Sequence, residues 1–329
     1  MSPKPTDSDW LDAAARLAGR ARPLSRPNPA VGALVVRDGQ VVGRGWTQSG
    51  GRPHAEAIAL DEAGDKARGA TLYVTLEPCA HRSERGPSCT SLVIAAAPAR
   101  VVIGCTDPDP RTAGAGIAAM RAAGIEVTEI ASAAAAESLC GYLVRSRMGR
   151  PHITLKLATS LDGRIALADG TSRWITGPQS RAHAHLERAC ADAILVGGET
   201  LRIDAPRLDT RLPGLEQRSP TRMVLTHGPA PQGWHAVADI ARPGAFGDAQ
   251  YLLIEGGAGA AAAFLAADIV DRLLLYRAPI IIGEGRPCIG DIGLASLADA
   301  HERWRLVDRR RLGSDTLDVY QRHRAATAA

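Results

Sequence analysis

His54-Ala-Glu56 sets an imidazole and a carboxylate two residues apart where a helix is predicted to begin. Glu77-Pro-Cys79 ends a predicted strand, and Cys89 follows Pro87-Ser88 at the start of another helix. One imidazole and two thiolates are three of the four ligands of tetrahedral zinc, and the open fourth position suits a catalytic site that holds water. Zinc lowers the pKa of such a water to about 7, which makes hydroxide available at neutral pH. Glu56 then stays off the ion and is free to move protons. His54 at the helix entry can lie outside helical geometry, so its side chain and that of Glu56 can converge. Helix N-termini also favour thiolates. A closed structural site would need a fourth protein ligand, for which His81 is the candidate.

H-x-E followed by Pro-Cys is the order seen in zinc deaminases, where hydroxide attacks an amino-bearing ring carbon and a non-ligand glutamate relays the proton. The second cysteine lies further away here than in that signature. In the other half of the chain, Lys156 sits in a strand pattern where Ile153, Leu155 and Leu157 share one face and Thr154, Lys156 and Ala158 the other. Only three of the 39 basic residues are lysines, Lys4, Lys66 and Lys156, so a lysine inside a strand asks for a reason. Gly256-Gly257-Ala258-Gly259 before an Ala-rich helix could let backbone N–H groups approach a pyrophosphate. It lacks the G-x-G-x-x-G spacing of a Rossmann site.

These residues need a layered scaffold. Helices are predicted at 9–20, 55–63, 88–97, 117–123 and 131–144. Strands are predicted at 31–36, 40–45, 71–76, 100–105 and 125–130, with a hairpin turning at Asp38-Gly39. This alternation is that of an α/β sheet. A basic junction, Arg145 to Pro151, breaks it and marks a domain boundary, giving domains 1–149 and 150–329. The second half repeats the alternation, with strands at 152–158, 193–196, 223–226, 251–254 and 272–276 and a helix at 179–190. Residues 227–250 carry no assignable pattern.

Composition narrows the partners. With 45% hydrophobic and 22% charged residues in 329, the chain has the profile of two packed domains. Net charge is +4 and aromatics are 4%, which argues against nucleic acid and anionic membrane as partners. The longest apolar stretch, Gly256 to Ala267, falls short of the ~18 residues of a membrane span. The acidic N-terminal segment reads as no secretion signal, so a cytoplasmic location is expected, where six cysteines would remain thiols. Cys105, Cys140, Cys190 and Cys288 read as small buried residues, and His183 and His185 as surface residues.

Asn28-Pro-Ala-Val-Gly32, His54-Ala-Glu56 and Tyr73-Val-Thr-Leu-Glu-Pro-Cys79 resemble the deaminase half of the bifunctional riboflavin-biosynthesis deaminase/reductases. Leu155-Lys156, Ser160-Leu-Asp-Gly163, Ser172-Arg-Trp-Ile-Thr176, Leu195-Val-Gly-Gly-Glu-Thr200, Asp204-Ala-Pro206, Glu255-Gly-Gly257 and Ala278-Pro279 follow the reductase half in order. The resemblance implies a cytidine-deaminase-like three-layer α/β/α domain followed by a dihydrofolate-reductase-like α/β domain. It implies Zn2+ on His54, Cys79 and Cys89, Glu56 as proton carrier and Asn28 on the pyrimidine ring of a phosphorylated substrate.

For the second domain it implies NADPH, with Lys156 near the reacting sugar. Substrate contacts fall to Ser172, Arg188, Leu208, Arg211 and Glu255. Cofactor contacts fall to Ala158, Trp174, Thr200, Asp204 and Gly257, and a homo-oligomer is expected. Thr47 stands where the family usually has histidine, and the altered cysteine loop leaves Arg82 or Arg85 as candidate phosphate contacts. Thr226-His227 replaces the family's aspartate and serine, which bears on preference for NADPH over NADH. Two other readings are a nucleic-acid or nucleoside deaminase and a family member in which one domain no longer catalyses.

Overall fold

Thr6 opens helix α1 (Asp7–Ala18) through a capping box, its hydroxyl accepting from the Asp9 N–H while the Asp9 carboxylate accepts from the Thr6 N–H. Strands β1 (Gly32–Arg37) and β2 (Gln40–Trp46) form the predicted hairpin, with Asp38 and Gly39 both at positive φ as a two-residue turn demands. There follow α2 (Ala55–Ala63), β3 (Thr71–Val74), α3 (Cys89–Ala96), β4 (Arg100–Ile103), α4 (Ala115–Ala122), β5 (Glu126–Glu129), α5 (Ala133–Ser138) and α6 (Cys140–Met148). The computed structural model describes residues 4–81 and 86–324, and Arg82 and Arg85 lie outside them. The chain divides into two compact units, Met1–Gly149 and Arg150–Ala329.

In the first unit the sheet order is β2-β1-β3-β4-β5, with β1 antiparallel to both neighbours and β3, β4 and β5 parallel. Strand alternation divides the core. Ala33, Val35, Leu72, Val74, Val101 and Ile103 pack with residues of α2, α3 and α4, whereas Leu34, Val36, Tyr73 and Val102 pack with Leu11 and Ala14 of α1. The helix predicted over 131–144 is two helices, because Leu139 leaves helical geometry at φ −100 and ψ 3. Leu139 is fully buried there, so core packing outweighs the helix propensity of the alanines around it.

The second unit contains β6 (His152–Thr159), β7 (Arg164–Leu167), α7 (Pro178–Ala189), β8 (Ala193–Gly197), α8 (Gly198–Asp204), β9 (Thr221–Leu225) and β10 (His235–Val237). It continues with β11 (Tyr251–Ile254), α9 (Ala258–Ala266), β12 (Arg272–Arg277), β13 (Gly285–Pro287), β14 (Trp304–Leu312) and β15 (Asp315–Arg322). Eight strands run in the order β10-β9-β8-β11-β6-β12-β15-β14, while β7 and β13 pair separately. The strands from β10 to β12 are parallel, and β15 and β14 close the edge antiparallel. The unassigned stretch 227–250 holds one short strand, β10, amid turns.

Two carboxylates tie distant segments into this unit. Asp315 of β15 is buried and accepts from the Gly177 N–H and the Ser180 hydroxyl, both at 2.7 Å, which caps α7 from across the sheet. Asp162 accepts from the Ser160 hydroxyl and from the Ile282 and Gly283 N–H groups. The Ser160-Leu-Asp-Gly163 turn is therefore pinned to the segment after Ala278-Pro279.

Candidate metal centre and second cleft

His54 is the N-cap of α2, extended at φ −74 and ψ 164, which lets its ring turn toward the side that Glu56 faces. Its Nδ1 lies 3.2 Å from Cys89 Sγ and 3.7 Å from Cys79 Sγ. Cys89 is the first residue of α3, after a Ser88 cap, and its N–H donates to Cys79 Sγ at 3.3 Å. The three donor atoms lie within 4.8 Å of one another, the sole such group of His, Cys, Asp and Glu among the described residues. One nitrogen and two sulfurs in this arrangement suit zinc with a position left open. His81 stays outside the group, its Nδ1 3.5 Å from the Thr112 hydroxyl, so it does not close the site.

Electrostatics favour the same occupant. A hydrogen bond from the Cys89 thiol, reinforced by His54, holds Cys79 well below the usual thiol range, and the same bond pushes Cys89 up. Burial would depress the His54 imidazole, but Cys79 and Glu56 outweigh it and raise its pKa. Glu56, buried in the first turn of α2, is pushed up chiefly by burial, with His54 opposing and Cys79 adding. Asn28 buttresses the ring from behind: its amide nitrogen donates to the Gly51 carbonyl at 2.9 Å and lies 3.0 Å from His54 Nε2. A Cβ on Gly51 would come within 2.7 Å of the Asn28 side chain, and Gly51 also sits at φ +84, so only glycine permits this approach.

A cavity of about 380 Å³ opens over the centre, lined by Asn28, Thr47, Arg52, His54, Glu56, Cys79, Asp107 and Tyr142 among others. Thr47 is buried; its hydroxyl donates to the Pro29 carbonyl at 2.9 Å and accepts from the Val31 N–H at 3.0 Å, so it holds the Asn28 segment in place. Sequence reasoning missed Glu77. This carboxylate is buried and accepts backbone N–H bonds from Asp107, Gly114, Gly116 and Ile117 at 3.0 to 3.3 Å. It joins the Pro78-Cys79 turn to the N-terminus of α4, where a Cβ on Gly116 would come within 2.5 Å of the Pro78 carbonyl. Its position beside Pro-Cys was the available signal, but nothing local placed α4 against it.

In the second unit, strand register assembles the site. Leu155 of β6 pairs with Ile254 of β11, so the next residues, Lys156 and Glu255, emerge side by side. Lys156 Nζ lies 3.8 Å from Glu255 Oε2. Arg188 of α7 grips both oxygens of Glu255, at 2.7 and 2.9 Å, and donates to the Asp209 carbonyl at 3.0 Å. Burial alone would raise the Glu255 carboxyl, but Lys156 and the Arg188 fork hold it below the usual range.

A cleft of about 690 Å³ brings together Lys156, Ala158, Ser172, Trp174, Arg188, Asp204, Leu208, Arg211 and Glu255. A cavity of about 250 Å³ shares several of these and reaches Thr200 and Gly257. The Gly257 N–H donates to the Thr200 hydroxyl at 3.1 Å, and Gly257 is the N-cap of α9. Arg211 pairs with Asp209 at 2.8 Å, and Trp174 is exposed beneath the Arg181 guanidinium.

The structure corrects the histidine and cysteine expectations. His183 and His185 are half-buried. His183 Nδ1 lies 2.7 Å from the Tyr276 hydroxyl, and His185 lines the larger cleft with its Nδ1 accepting from the Arg211 N–H at 3.2 Å. Two residues apart on one helix do point apart, but α7 is embraced on both sides, so neither histidine is left to solvent. Cys105, Cys140, Cys190 and Cys288 are half-buried rather than buried. Arg202 and Arg207 are exposed surface charges, Arg207 at the cleft rim. No helix among the described residues is long and apolar enough to cross a membrane.

A three-donor metal centre with a buried non-ligand glutamate, on a five-stranded mixed sheet, defines a zinc-dependent deaminase unit, and the eight-stranded sheet adds a dihydrofolate-reductase-like unit. Family models agree: residues 4–105 match the cytidine and deoxycytidylate deaminase zinc-binding region, and residues 151–239 and 247–317 match the RibD C-terminal domain. The riboflavin biosynthesis protein RibD of Escherichia coli is 37% identical over 94% of this chain and 97% of that protein. RibD of Mycobacterium tuberculosis H37Rv is 38% identical, covering 88% and 90%.

Among solved structures, a Thermotoga maritima diaminohydroxyphosphoribosylaminopyrimidine deaminase/5-amino-6-(5-phosphoribosylamino)uracil reductase matches with TM-score 0.85 at 30% identity, covering 96% and 99%. Acinetobacter baumannii RibD matches with TM-score 0.84 at 32% identity, covering 97% and 99%. The chain belongs to the RibD family, the bifunctional deaminase/reductases of riboflavin biosynthesis.

Proposed function

We propose that this chain carries out both reactions of the RibD family, deaminating a phosphorylated diamino-ribosylaminopyrimidinone and then reducing the ribosyl group of the product to ribityl. The observation that carries the first step is the convergence of His54, Cys79 and Cys89 with a buried glutamate that is not one of the donors. When bound by these three residues, zinc supplies the Lewis acidity that makes water nucleophilic at neutral pH. Glu56 receives the proton that water gives up and passes it to the departing amine, and its raised pKa suits a group that must both accept and donate. Asn28 orients His54 and offers its amide to the ring. Tyr142 and Asp107, hydrogen-bonded to each other at the cavity wall, add polar contacts.

For the second step, NADPH supplies the hydride that reduces C1′ of the ribosyl group. Lys156 donates the proton taken up by the sugar oxygen. Arg188 and Glu255 hold the sugar side of the cleft, and Ser172, Leu208 and Arg211 complete the substrate contacts. Ala158, Trp174, Thr200, Asp204 and Gly257 would hold the cofactor, and the N-terminus of α9, capped by Gly257, would offer backbone N–H groups to its phosphates. The Arg207 and Arg211 guanidinium groups near the rim suit the substrate phosphate. The same reading puts the protein in the cytoplasm as a homo-oligomer.

The test measures ammonia release and NADPH oxidation separately on protein with its zinc content determined. Both activities with about one zinc per chain support the reading, and a zinc-free protein that still deaminates overturns its first half.

A further inference from the structure

We propose that Tyr276 and His183 are positioning residues that hold the Lys156 ammonium in the reductase cleft, an inference resting on the role given to Lys156 above. Lys156 leaves the centre of the sheet on a flexible four-carbon stem, and its charged partner restrains it little. Both oxygens of Glu255 are engaged by the Arg188 fork at 2.7 and 2.9 Å, whereas Lys156 Nζ stands 3.8 Å away, beyond hydrogen-bond reach. The ammonium therefore keeps its N–H groups for a ligand, but the pair alone leaves its direction loose.

Tyr276 supplies a second restraint. It is fully buried on β12, where register pairs Leu274 with Lys156 and Tyr276 with Ala158, and its ring lies 5.9 Å from Lys156 Nζ. A cation over an aromatic face is attracted by the ring quadrupole. The ring is itself tethered: its hydroxyl is hydrogen-bonded to His183 Nδ1 at 2.7 Å, and the two rings lie 5.8 Å apart. Burial lowers the His183 imidazole and so favours the neutral ring, in which Nδ1 can pair with the Tyr276 hydroxyl in either tautomer. Neither residue lines the cleft, so both act through Lys156.

The presence of three lysines makes the test direct. In protein carrying 13C at the lysine ε position, the Lys156 signal is assigned by its loss in Lys156→Arg. We expect it upfield of the Lys4 and Lys66 signals through the Tyr276 ring current, still upfield in Tyr276→Phe, and level with them in Tyr276→Leu. Reductase kcat should fall about tenfold or more in Tyr276→Leu with the KM for NADPH within about twofold, as for a misplaced catalytic group. Tyr276→Phe and His183→Ala should each cost about threefold, and the double variant no more than either alone, since both cut one tether.

A Lys156 signal unmoved in Tyr276→Leu, or unchanged turnover in that variant, overturns the proposal. If Tyr276→Leu does not fold, wild-type turnover in both Tyr276→Phe and His183→Ala overturns it instead. Full turnover in Lys156→Ala overturns the role of Lys156 itself while leaving the ring-current shift intact, which separates the two failures.

Discussion

Each unit of this protein buries a glutamate at its site, and the surroundings drive the two in opposite directions. Glu56 sits beside His54 and Cys79, where burial outweighs the opposing His54 and its carboxyl is raised. Glu255 is nearly buried, yet Lys156 and Arg188 overcome burial and keep it ionised. The same side chain is thus pushed toward protonation in one place, as the proposed proton carrier requires, and held as a fixed charge in the other. What separates them is the weight of the cations beside them: Lys156 and Arg188 together outweigh burial at Glu255, and His54 does not at Glu56.

The largest effect expected from this contrast is in the first unit. Glu56→Gln keeps the shape and removes the titrating oxygen, so deamination should fall about 10³-fold, the scale of a lost acid–base group, with zinc content and NADPH oxidation unchanged. Normal deamination by the Glu56→Gln variant would erase the distinction between the two glutamates. In the second unit the damage should be to stability as well as turnover. Arg188→Ala removes both hydrogen bonds to Glu255 and leaves Lys156, 3.8 Å away, as its cationic partner, at a cost of roughly 1–3 kcal/mol to this unit, visible in thermal unfolding while ammonia release persists.

Asn28→Ala should loosen zinc by about 10- to 100-fold in competition with a chelator, because it removes the group behind His54 Nε2. Unchanged zinc affinity would confine Asn28 to the substrate. The smallest effect expected is with acid. Glu255 and Asp271 both have folded pKa values below their unfolded ones, Asp271 because its Arg150 partner and the Ile153 N–H outweigh burial. Their contribution is present above the unfolded pKa and is lost as pH falls through the folded one. The second unit should therefore lose stability as the pH drops below the carboxylate range, and the Asp271→Asn variant should show a shallower loss.

The two sites also differed in how far they could be read from the chain. Zinc demands particular atoms, so His54, Cys79 and Cys89 betray themselves by type, and His54 and Cys89 also by their places at helix entries, where free N–H groups and extended backbone are available. The second cleft relies on a parallel register and on an arginine 67 residues from the glutamate it grips, a pairing that no local pattern announces. Its residues could be named through family resemblance but not through periodicity. The half-burial of His183 and His185 escaped for the same reason, since helix spacing tells which residues point apart and not what lies on each side.

Alternation of apolar residues, the Asp38-Gly39 turn and the composition by themselves determined that this is a two-part α/β protein with a cysteine–histidine metal site, because these depend on side-chain chemistry and neighbouring backbone alone. Tertiary structure decided the break of the alanine helix at Leu139, the clamp of Glu77 on α4, and the fork of Arg188 on Glu255. Each of these is a balance between burial and a partner brought from far along the chain, and that balance does not exist until the sheet has formed.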